Sequence, residues 1–577
     1  MKGRRSLLVA YLRPQWRQVA LLVLLLLVSL GVELVNPLIL REFIDAARRS
    51  DPPDTLLRLA VLFLGVAIAT QGITVAEAYV AQNISLTSTN RLRNDLTRHL
   101  LNLDPGFHNA RTPGELIERV DGDVATLGNF FSRFAVQLVG NGLLLVGVLA
   151  LLFGIDWRVG LAVTAFAGLS LALISGLRNV GLPYWTAARQ ASAELFGFLE
   201  ERLAGTEDIR SSGAGEYAMR RLYERSRAVL QKQRAAAIVG NATGLTTGVL
   251  LTVGAALALG LGGYLFTAGT ITLGTVYLIF SYTELLRRPI DQISRQMQDL
   301  QQAGAGLVRI GELLDMQSEI RDGAGVPLPA GAPAVEFADV TFGYAPEEPV
   351  VEQLSFALPP GEVLGVLGRT GSGKTTLTRL LFRLYDPDLG SIRLGGADLR
   401  DTRLTELRSH VGMVTQEIHL FHAAVRDNLT FFDRSIPDER ILAVLHELGL
   451  GDWYGSQPQG LDTKLAPGGS GLSAGQAQLV AFARVFLQNP RLVILDEASS
   501  RLDPATEAQV ERAIDRLMAG RTGIIIAHRL ATVNRADRIL ILEDRRMVEY
   551  GPRAELVGDP SSHFARLLRT GIDEVLA

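Results

Sequence analysis

The sequence predicts a multidomain membrane protein in which a six-helix, all-α transmembrane domain precedes an α/β domain. Three observations predict this class. Long charge-free runs are confined to the first half of the 577 residues, a cluster of glycine and proline divides the halves, and short Val/Ile/Leu strands alternate with helical segments after it. Each charge-free run approaches the roughly 20 residues that a helix needs to cross a bilayer.

Six membrane spans are predicted in the first half. Residues 134–155 and 159–177 carry no charge, and neither do residues 235–283, a stretch long enough for two spans. Basic side chains precede the first span, so the N-terminus is expected in the cytoplasm, and six spans return the chain there. The predicted spans are residues 18–40, 58–80, 134–155, 159–177, 244–266 and 272–290.

The connections after the second and fourth spans are long. They cover about residues 81–133 and 178–243 and repeat Arg, Glu and Leu at helical spacing. Short loops join spans 3–4 and 5–6 and must be external, so the long connections lie in the cytoplasm. They predict helices that continue well beyond the membrane.

Glycine and proline mark the boundary between the domains. Six such residues fall within residues 323–333, a composition typical of a linker. We therefore expect a transmembrane domain at 1–310, a linker at 311–333 and a second domain at 334–577.

Charge balance and cysteine usage exclude several classes of protein. The 57 basic and 60 acidic side chains give a net charge of −3, so no nucleic-acid partner is expected. The absence of cysteine excludes disulfides, cysteine-ligated zinc, iron–sulfur clusters and thiol catalysis.

Residues 368–375 fit the phosphate-loop pattern G-x-x-x-x-G-K-[ST]. They follow a predicted strand at 363–367 and precede a helical stretch, the context that this motif requires. Glycines let backbone N–H groups surround a phosphate, and the helix N-terminus adds positive potential. Lys374 is expected on the β- and γ-phosphates and Thr375 on Mg²⁺. The predicted nucleotide-binding residues here are Gly368, Thr370, Gly371, Ser372, Gly373, Lys374, Thr375 and Thr376.

A second predicted strand, at residues 492–495, ends in two carboxylates. Asp496 is expected to hold Mg²⁺, and Glu497, one residue beyond the strand, is expected to polarise the attacking water. Alone, a strand that ends in Asp-Glu more often marks a helix N-cap. Its combination with the phosphate loop favours nucleotide hydrolysis.

The segment 472–476, Leu-Ser-Ala-Gly-Gln, is similar to the Leu-Ser-Gly-Gly-Gln signature of ABC transporters. The second domain thus resembles an ABC ATPase domain, of the α/β P-loop type. With its six preceding spans, the whole chain resembles a half-size ABC exporter. In that family the signature meets the nucleotide bound by the other subunit, which implies nucleotide contacts for Ser473, Gly475 and Gln476.

Four further positions match family motifs. The resemblance implies that Tyr344 stacks on adenine, although a core tyrosine would show the same pattern. It also implies that Gln416 senses Mg²⁺ and links to the membrane domain, that Asp503 belongs to the D-loop, and that His528 contacts the γ-phosphate. The catalytic residues are then Glu497, His528 and Gln416, and the metal ligands are Thr375, Gln416 and Asp496.

The family resemblance implies a dimer of twelve spans with two ATP sites, cofactors ATP and Mg²⁺, and coupling helices near residues 106–114 and 205–213. The implied function is ATP-driven export of a small molecule, lipid or peptide across the cell membrane of a bacterium, with the ATPase domain in the cytoplasm. Import by the same architecture, or service as the partner of a heterodimer with one degenerate ATP site, is the alternative.

Two positions depart from the family signature. Ala474 stands where glycine is usual, and Ala477 where a basic residue is common. A methyl group at 474 lies near the phosphate surface, whereas Lys374, Asp496 and Glu497 are intact. This combination favours a heterodimer with a second half-transporter over a homodimer.

Three acidic residues lie within or near the spans. Glu33 lies inside the first span, where a carboxylate is a candidate for substrate binding. Glu77 and Glu284 lie near cytoplasmic ends, where we expect them to be solvated.

Overall fold

The computed structural model describes residues 9–345, 347–415, 418–466, 472–496, 504–527 and 533–570. The chain divides into two compact units. A helical unit comprises residues 1–101 and 113–316, and an α/β unit comprises residues 102–112 and 317–577.

The helical unit is built from long helices, three of which run far past their predicted spans. The second, fourth and fifth long helices have 49, 48 and 53 residues, which is roughly 70–80 Å each at 1.5 Å per residue. The predicted continuation of helices beyond the apolar segments is therefore confirmed. The long helices are α1 (Trp16–Arg48), α2 (Pro53–Leu101), α6 (Gly140–Ile155), α7 (Trp157–Ala204), α9 (Gly215–Thr267), α10 (Leu273–Leu285) and α11 (Arg287–Asp315).

Short helical segments complete this unit. They are α4 (Pro113–Ile117), α5 (Val124–Asn129), α8 (Thr206–Ser211) and two π-helical segments, Glu118–Asp123 and Phe130–Val139.

Within the described residues, five helices are long and apolar enough to cross a membrane, rather than the six predicted. The sixth predicted span, 272–290, is divided at Leu286 into α10 and α11. Pro289 causes the division, because it has no N–H to donate to Leu285 and its ring would clash with that carbonyl. As the third residue of α11, Pro289 occupies a position where no intrahelical N–H bond is needed.

The turn between α6 and α7 shows how a short loop ends one span and starts the next. Asp156 adopts an extended conformation (φ −157°, ψ 130°), and its carboxylate accepts a hydrogen bond of 2.7 Å from the N–H of Arg158. This is an N-cap, and it explains why a single acidic residue interrupts two apolar runs.

The connection between α9 and α10 is fixed by a buried carboxylate from α1. Asp45 accepts hydrogen bonds from the Thr272 hydroxyl (2.6 Å) and from the Gly274 N–H (2.8 Å). Gly274 packs so closely on α1 that a Cβ would lie 2.3 Å from the Arg41 carbonyl oxygen. The apolar core next to this connection joins α6, α7, α9 and α10 and includes Val148, Val163, Ala258, Leu278 and Tyr282.

Glu77 differs from its expected environment. It is only 9% exposed, inside α2, and it lines a cavity. Glu284 also lines a cavity, together with Glu33. The expectation of two solvated carboxylates at the cytoplasmic boundary is wrong for Glu77, because α2 continues as a packed helix for 24 residues after it.

The α/β unit contains a six-stranded sheet of order β10-β9-β3-β8-β7-β6 and a four-stranded antiparallel sheet of order β2-β1-β4-β5. In the larger sheet β9, β3, β8, β7 and β6 are parallel, and β10 pairs with β9 in the antiparallel sense. The predicted strands at 363–367 and 492–495 are confirmed as β3 and β7. The strands are β1 (Val335–Ala345), β2 (Glu348–Leu358), β3 (Val363–Gly368), β4 (Leu389–Leu394), β5 (Ala397–Asp398), β6 (Val411–Val414), β7 (Leu492–Asp496), β8 (Thr522–Ile526), β9 (Arg538–Glu543) and β10 (Arg546–Pro552).

Helices pack on one face of the larger sheet, and the smaller sheet and two helices pack on the other, so its central strands are buried on both faces. Such burial accounts for the continuous Val/Ile/Leu runs of the parallel strands. The helices are α3 (Pro105–Asn109), α12 (Lys374–Leu381), α13 (Leu404–His410), α14 (Val425–Thr430), α15 (Asp438–Glu447), α16 (Gly451–Gly455), α17 (Ala474–Gln488), α18 (Pro504–Met518), α19 (Arg553–Gly558) and α20 (His563–Thr570).

Residues 102–112, which include α3, belong to the α/β unit although they are distant from it in sequence. The Asp104 carboxylate accepts hydrogen bonds from the Ser318 hydroxyl and from the Glu319 N–H, the latter at 2.6 Å. The amide Nδ2 of Asn109 donates to the Tyr385 hydroxyl at 3.1 Å. This segment is one of the two positions where a coupling helix is expected.

Candidate nucleotide-binding site

The phosphate loop joins the end of β3 to the start of α12. Gly371 (φ +85°) and Gly373 (φ +102°) adopt left-handed conformations that only glycine tolerates easily. A Cβ on Gly368 would lie 2.2 Å from the Leu542 carbonyl oxygen. The glycine spacing of the motif therefore follows from backbone curvature at two positions and close packing at a third.

Polar groups in the loop suit a phosphate ligand. The ammonium of Lys374 donates to the carbonyls of Gly368 (2.5 Å) and Arg369 (2.9 Å), which holds it across the loop. The hydroxyl of Ser372 is buried and has no hydrogen-bond partner among the residues that the structure describes. A buried hydroxyl without a partner is costly, and a phosphate oxygen would accept its hydrogen bond. These residues thus fit a bound nucleotide.

The parallel sheet brings the other acidic and polar positions to the same edge as this loop. Val366 of β3 and Asp496 of β7 both pair with Ile526 of β8, so the three strands end at the same level. Asp496 therefore lies two strands away from the loop, at the carboxyl edge, where ligands of open α/β sheets bind. Thr375 is exposed in the first turn of α12, and its hydroxyl and the Asp496 carboxylate are suitable magnesium ligands.

Four predicted site residues lie outside the described residues: Gln416, Glu497, Asp503 and His528. Gln416 follows β6 by two positions, Glu497 follows β7 directly and His528 follows β8 by two positions. Their strands end at the same edge of the sheet, and their roles stay predictions.

Tyr344, the predicted adenine contact, is 44% exposed beside the phosphate-loop helix. Its hydroxyl lies 3.1 Å from the Thr376 hydroxyl and accepts a hydrogen bond of 3.0 Å from Arg379. The Arg379 guanidinium also lies 5.6 Å from the centre of the Tyr344 ring, a cation–π distance. The hydroxyl of Thr376, predicted to bind nucleotide, is therefore engaged by Tyr344.

Sequence reasoning missed Arg379 and Tyr385. The edge of the Tyr385 ring meets the Tyr344 ring at a centroid distance of 5.3 Å, and the Tyr385 hydroxyl accepts the hydrogen bond of Asn109. Burial raises the pKa of Tyr385 above its ordinary value. The position of Arg379 near the site could have been predicted from the sequence, because it lies four residues after Thr375 and so on the same face of α12.

The signature segment begins α17 with a capping box. The Ser473 hydroxyl accepts a hydrogen bond of 3.1 Å from the Gln476 N–H, and the Gln476 carboxamide oxygen accepts one of 3.0 Å from the Ser473 N–H. Gly475 packs on α18, where a Cβ would lie 2.1 Å from Cγ2 of Thr506. Ala474 is exposed as the first residue of the helix. The N-terminus of a helix favours anions, because its first N–H groups have no intrahelical acceptor.

Comparisons with known proteins agree with this geometry. Residues 19–290 match the family model described as ABC transporter transmembrane region, and residues 351–500 match the model described as ABC transporter. An ATP-dependent lipid A-core flippase of Pseudomonas syringae is 30% identical over 522 residues, which cover 90% of this chain and 86% of the relative. The chain belongs to the ABC transporter family. It is a half-size exporter, a nucleotide-binding ATPase coupled to transport through its own membrane domain.

Other relatives and a solved structure support the same assignment. A fatty acid ABC transporter ATP-binding/permease protein of Mycobacterium bovis is 31% identical over 467 residues, which cover 81% of this chain and 74% of the relative. A bacterial Atm1-family ABC exporter with ATP bound is similar in structure, with a TM-score of 0.77 and 24% identity over 97% of this chain and 98% of that one. This last likeness shows that the transporter has the exporter fold.

Proposed function

We propose that this transporter exports an amphiphilic substrate, lipid-like in size and character, and that it hydrolyses ATP at two composite sites of a dimer. Two relatives with high coverage have names that refer to lipid A-core and to fatty acids, both of which are amphiphiles. The observation that carries the ATPase part is the common sheet edge that presents the phosphate loop and Asp496 together.

Each residue of this edge has a separate task. Lys374 and the loop N–H groups bind the β- and γ-phosphates, and Thr375 and Asp496 would hold Mg²⁺, whose charge would neutralise that of the phosphates. Glu497 accepts a proton from the attacking water as general base. His528 contacts the γ-phosphate, and Gln416, two positions after β6 in the sequence, senses Mg²⁺ and links to the membrane domain.

The signature helix of one subunit closes the site of the other. Ser473 and Gln476 satisfy each other's backbone groups, so the other N–H groups of the first turn are left to bind the partner's γ-phosphate. Ala474 adds a methyl group on this surface, and we propose a second, different half-transporter as the partner. The N-terminus and the ATPase domain lie in the cytoplasm of a bacterial cell, because basic residues precede the first span.

The first test is Mg²⁺-dependent ATPase activity of the chain purified alone in lipid, beside Glu497→Gln. Robust activity that Glu497→Gln abolishes would establish the chemistry and favour a homodimer. Folded protein that binds ATP without turnover would favour a missing partner. Activity that Glu497→Gln leaves intact would refute the assigned base.

The direction of transport needs a separate assay. In inside-out vesicles an exporter accumulates a labelled amphiphile when ATP is added outside, and an importer depletes it. Depletion would refute export while leaving the ATPase assignment unaffected.

A further inference from the structure

The membrane domain contains a cavity of about 530 Å³ where α1 and α2 meet the break between α10 and α11. Its charged lining residues are Glu33 from α1, Glu284 from α10 and Arg288 from α11. Three aromatic rings complete the wall, from Phe63, Tyr277 and Phe280. A cavity with apolar walls and a few convergent polar groups is the usual form of a small-molecule site.

A second cavity, of about 250 Å³, lies further along α2. Glu77 lines it and is 91% buried, since only 9% of its surface is exposed. Within the part of the chain that the structure describes, the Glu77 carboxylate makes no hydrogen bond or ion pair. The other polar lining residues are the neutral side chains of Thr74, Gln82, Ser132 and Gln137. A buried carboxylate without a partner is costly, and an ammonium group in this cavity would compensate for it.

One face of α2 connects the two cavities. Thr70 lines the first, and Thr74 and Glu77 line the second. Spacings of four and three residues place these side chains on a single face of the helix. Gln71 of the first cavity and Glu77 of the second are six residues apart, which is roughly 9 Å along the helix. The cavities are therefore successive positions along one polar face.

From these observations we infer that the transporter binds an amphiphile with an ammonium head group, which moves between the Glu33–Glu284 cavity and the Glu77 cavity. The described lining of the first cavity has two carboxylates and one guanidinium, and that of the second has one carboxylate and no basic group. The aromatic rings suit both a cation and an alkyl chain. A fatty acid, the substrate in the name of the mycobacterial relative, would bring a carboxylate against like charges. This inference rests on the proposed function and specifies its substrate class.

The test compares three probes with the same alkyl chain: dodecylamine, dodecanol and dodecanoate. Their competition against a labelled dodecylamine is measured on the purified transporter in lipid, without nucleotide. We expect dodecylamine to bind best. Glu33→Gln, Glu284→Gln and Glu77→Gln should each weaken its binding about tenfold, the low end for a hydrogen bond to a charged group. Dodecanol binding should not change. Equal losses of affinity for dodecylamine and dodecanol in these variants, or a preference of the wild type for dodecanoate, would overturn the inference.

Controls separate charge from folding. Glu42→Gln removes a carboxylate from α1, the helix that carries Glu33. Glu42 is half-exposed, forms an ion pair with Arg49 at 2.7 Å and lines neither cavity. This variant should bind all three probes like the wild type. Glu33→Asp keeps the charge and should retain the preference for the amine. Each variant is also checked for ATP binding, which depends on the other domain.

Two further arms identify the source of the amine and separate this inference from the proposed function. Labelled phosphatidylethanolamine and phosphatidylglycerol with the same acyl chains are compared in vesicles. Transport of phosphatidylethanolamine alone supports an aminolipid as the substrate. If neither lipid is transported although the protein binds dodecylamine, the substrate is an amine taken from water. If Glu497→Gln abolishes the ATPase activity but that activity does not depend on the head group of the added amphiphile, only this inference is overturned. Absence of ATP hydrolysis even with a partner subunit would overturn the proposed function instead.

Discussion

Replacing Gly475 with alanine should destabilise the ATPase domain by about 1–2 kcal/mol. An added Cβ would lie 2.1 Å from Cγ2 of Thr506, far inside the 3.4–4 Å of an ordinary van der Waals contact. Overpacking of this kind costs roughly 1–3 kcal/mol. A contact of only 2.1 Å belongs to the upper part of this range, about 2–3 kcal/mol. Alanine inside a helix returns up to roughly 1 kcal/mol relative to glycine, so a net loss of about 1–2 kcal/mol remains.

A second substitution tests whether this one contact is responsible. Thr506→Ser removes Cγ2 and keeps the hydroxyl, so the added Cβ would meet only the Thr506 Cβ at 3.1 Å and Oγ1 at 3.3 Å. Small shifts of a few tenths of an ångström relieve contacts of that length. The double variant should therefore recover most of the loss, although Thr506→Ser alone costs up to about 1 kcal/mol for a lost methyl group.

The assay is the apparent melting temperature of the ATPase domain in the wild type, both single variants and the double variant. A domain of this size shifts by roughly 2–4 °C per kcal/mol, so Gly475→Ala should melt about 2–8 °C lower. Ala474→Gly is the matched control one residue away, where the side chain is exposed. A double variant that loses the sum of the two single losses, or a Gly475→Ala protein as stable as the wild type, would refute the reasoning.

Three further predictions concern the phosphate loop, the segment at 102–112 and an ion pair in the helical unit. Lys374→Ala should weaken ATP binding roughly 10- to 150-fold, the value of a hydrogen bond to a charged group, in a nucleotide titration. Asn109→Ala and Tyr385→Phe each remove the same 3.1 Å hydrogen bond, so a double-mutant cycle by urea unfolding should give a coupling of about 0.5 kcal/mol; strict additivity would contradict it. Burial raises the pKa of Asp123, but hydrogen bonds and charge from Arg309 and Arg119 outweigh it and hold that pKa below its usual 3.8. The stability from this pair is fully present above pH 3.8 and is lost as the pH falls through the lower folded-state pKa, so the melting temperatures of the wild type and Asp123→Asn should converge only below that pH.

The parts of the site that the sequence could predict are those encoded by neighbouring residues. The curvature of the phosphate loop depends on positive φ at Gly371 and Gly373. The positions of these glycines in the sequence therefore predict where the backbone turns. The position of Asp496 follows from one rule, that parallel strands end at a common edge. Such features need no knowledge of which distant segments touch.

Contacts between distant segments could not be predicted in the same way. The hydrogen bond between Asn109 and Tyr385 joins residues 276 positions apart, and neither residue stands out in a local pattern. The close fit of Gly475 on Thr506 likewise depends on where α17 and α18 cross. The division of the sixth span was different, because Pro289 was visible in the sequence. A hydropathy pattern depends on side chains alone, whereas α10 ends because Pro289 has no backbone N–H group to continue the helix.

The geometry of Ala474 limits what its departure from the signature can change. Ala474 is exposed at the first position of α17, so its methyl group is not packed in the core of the domain. The capping box of Ser473 is intact. The helix start therefore persists, and the effect of the methyl group falls on the surface proposed to meet the partner's nucleotide. The phosphate loop of this chain lies at a different site, one that the partner's signature closes. A heterodimer would then have two sites of unequal strength, and a homodimer two equally weakened sites. The two forms of dimer differ in the number of normal sites, not in the fold of this chain.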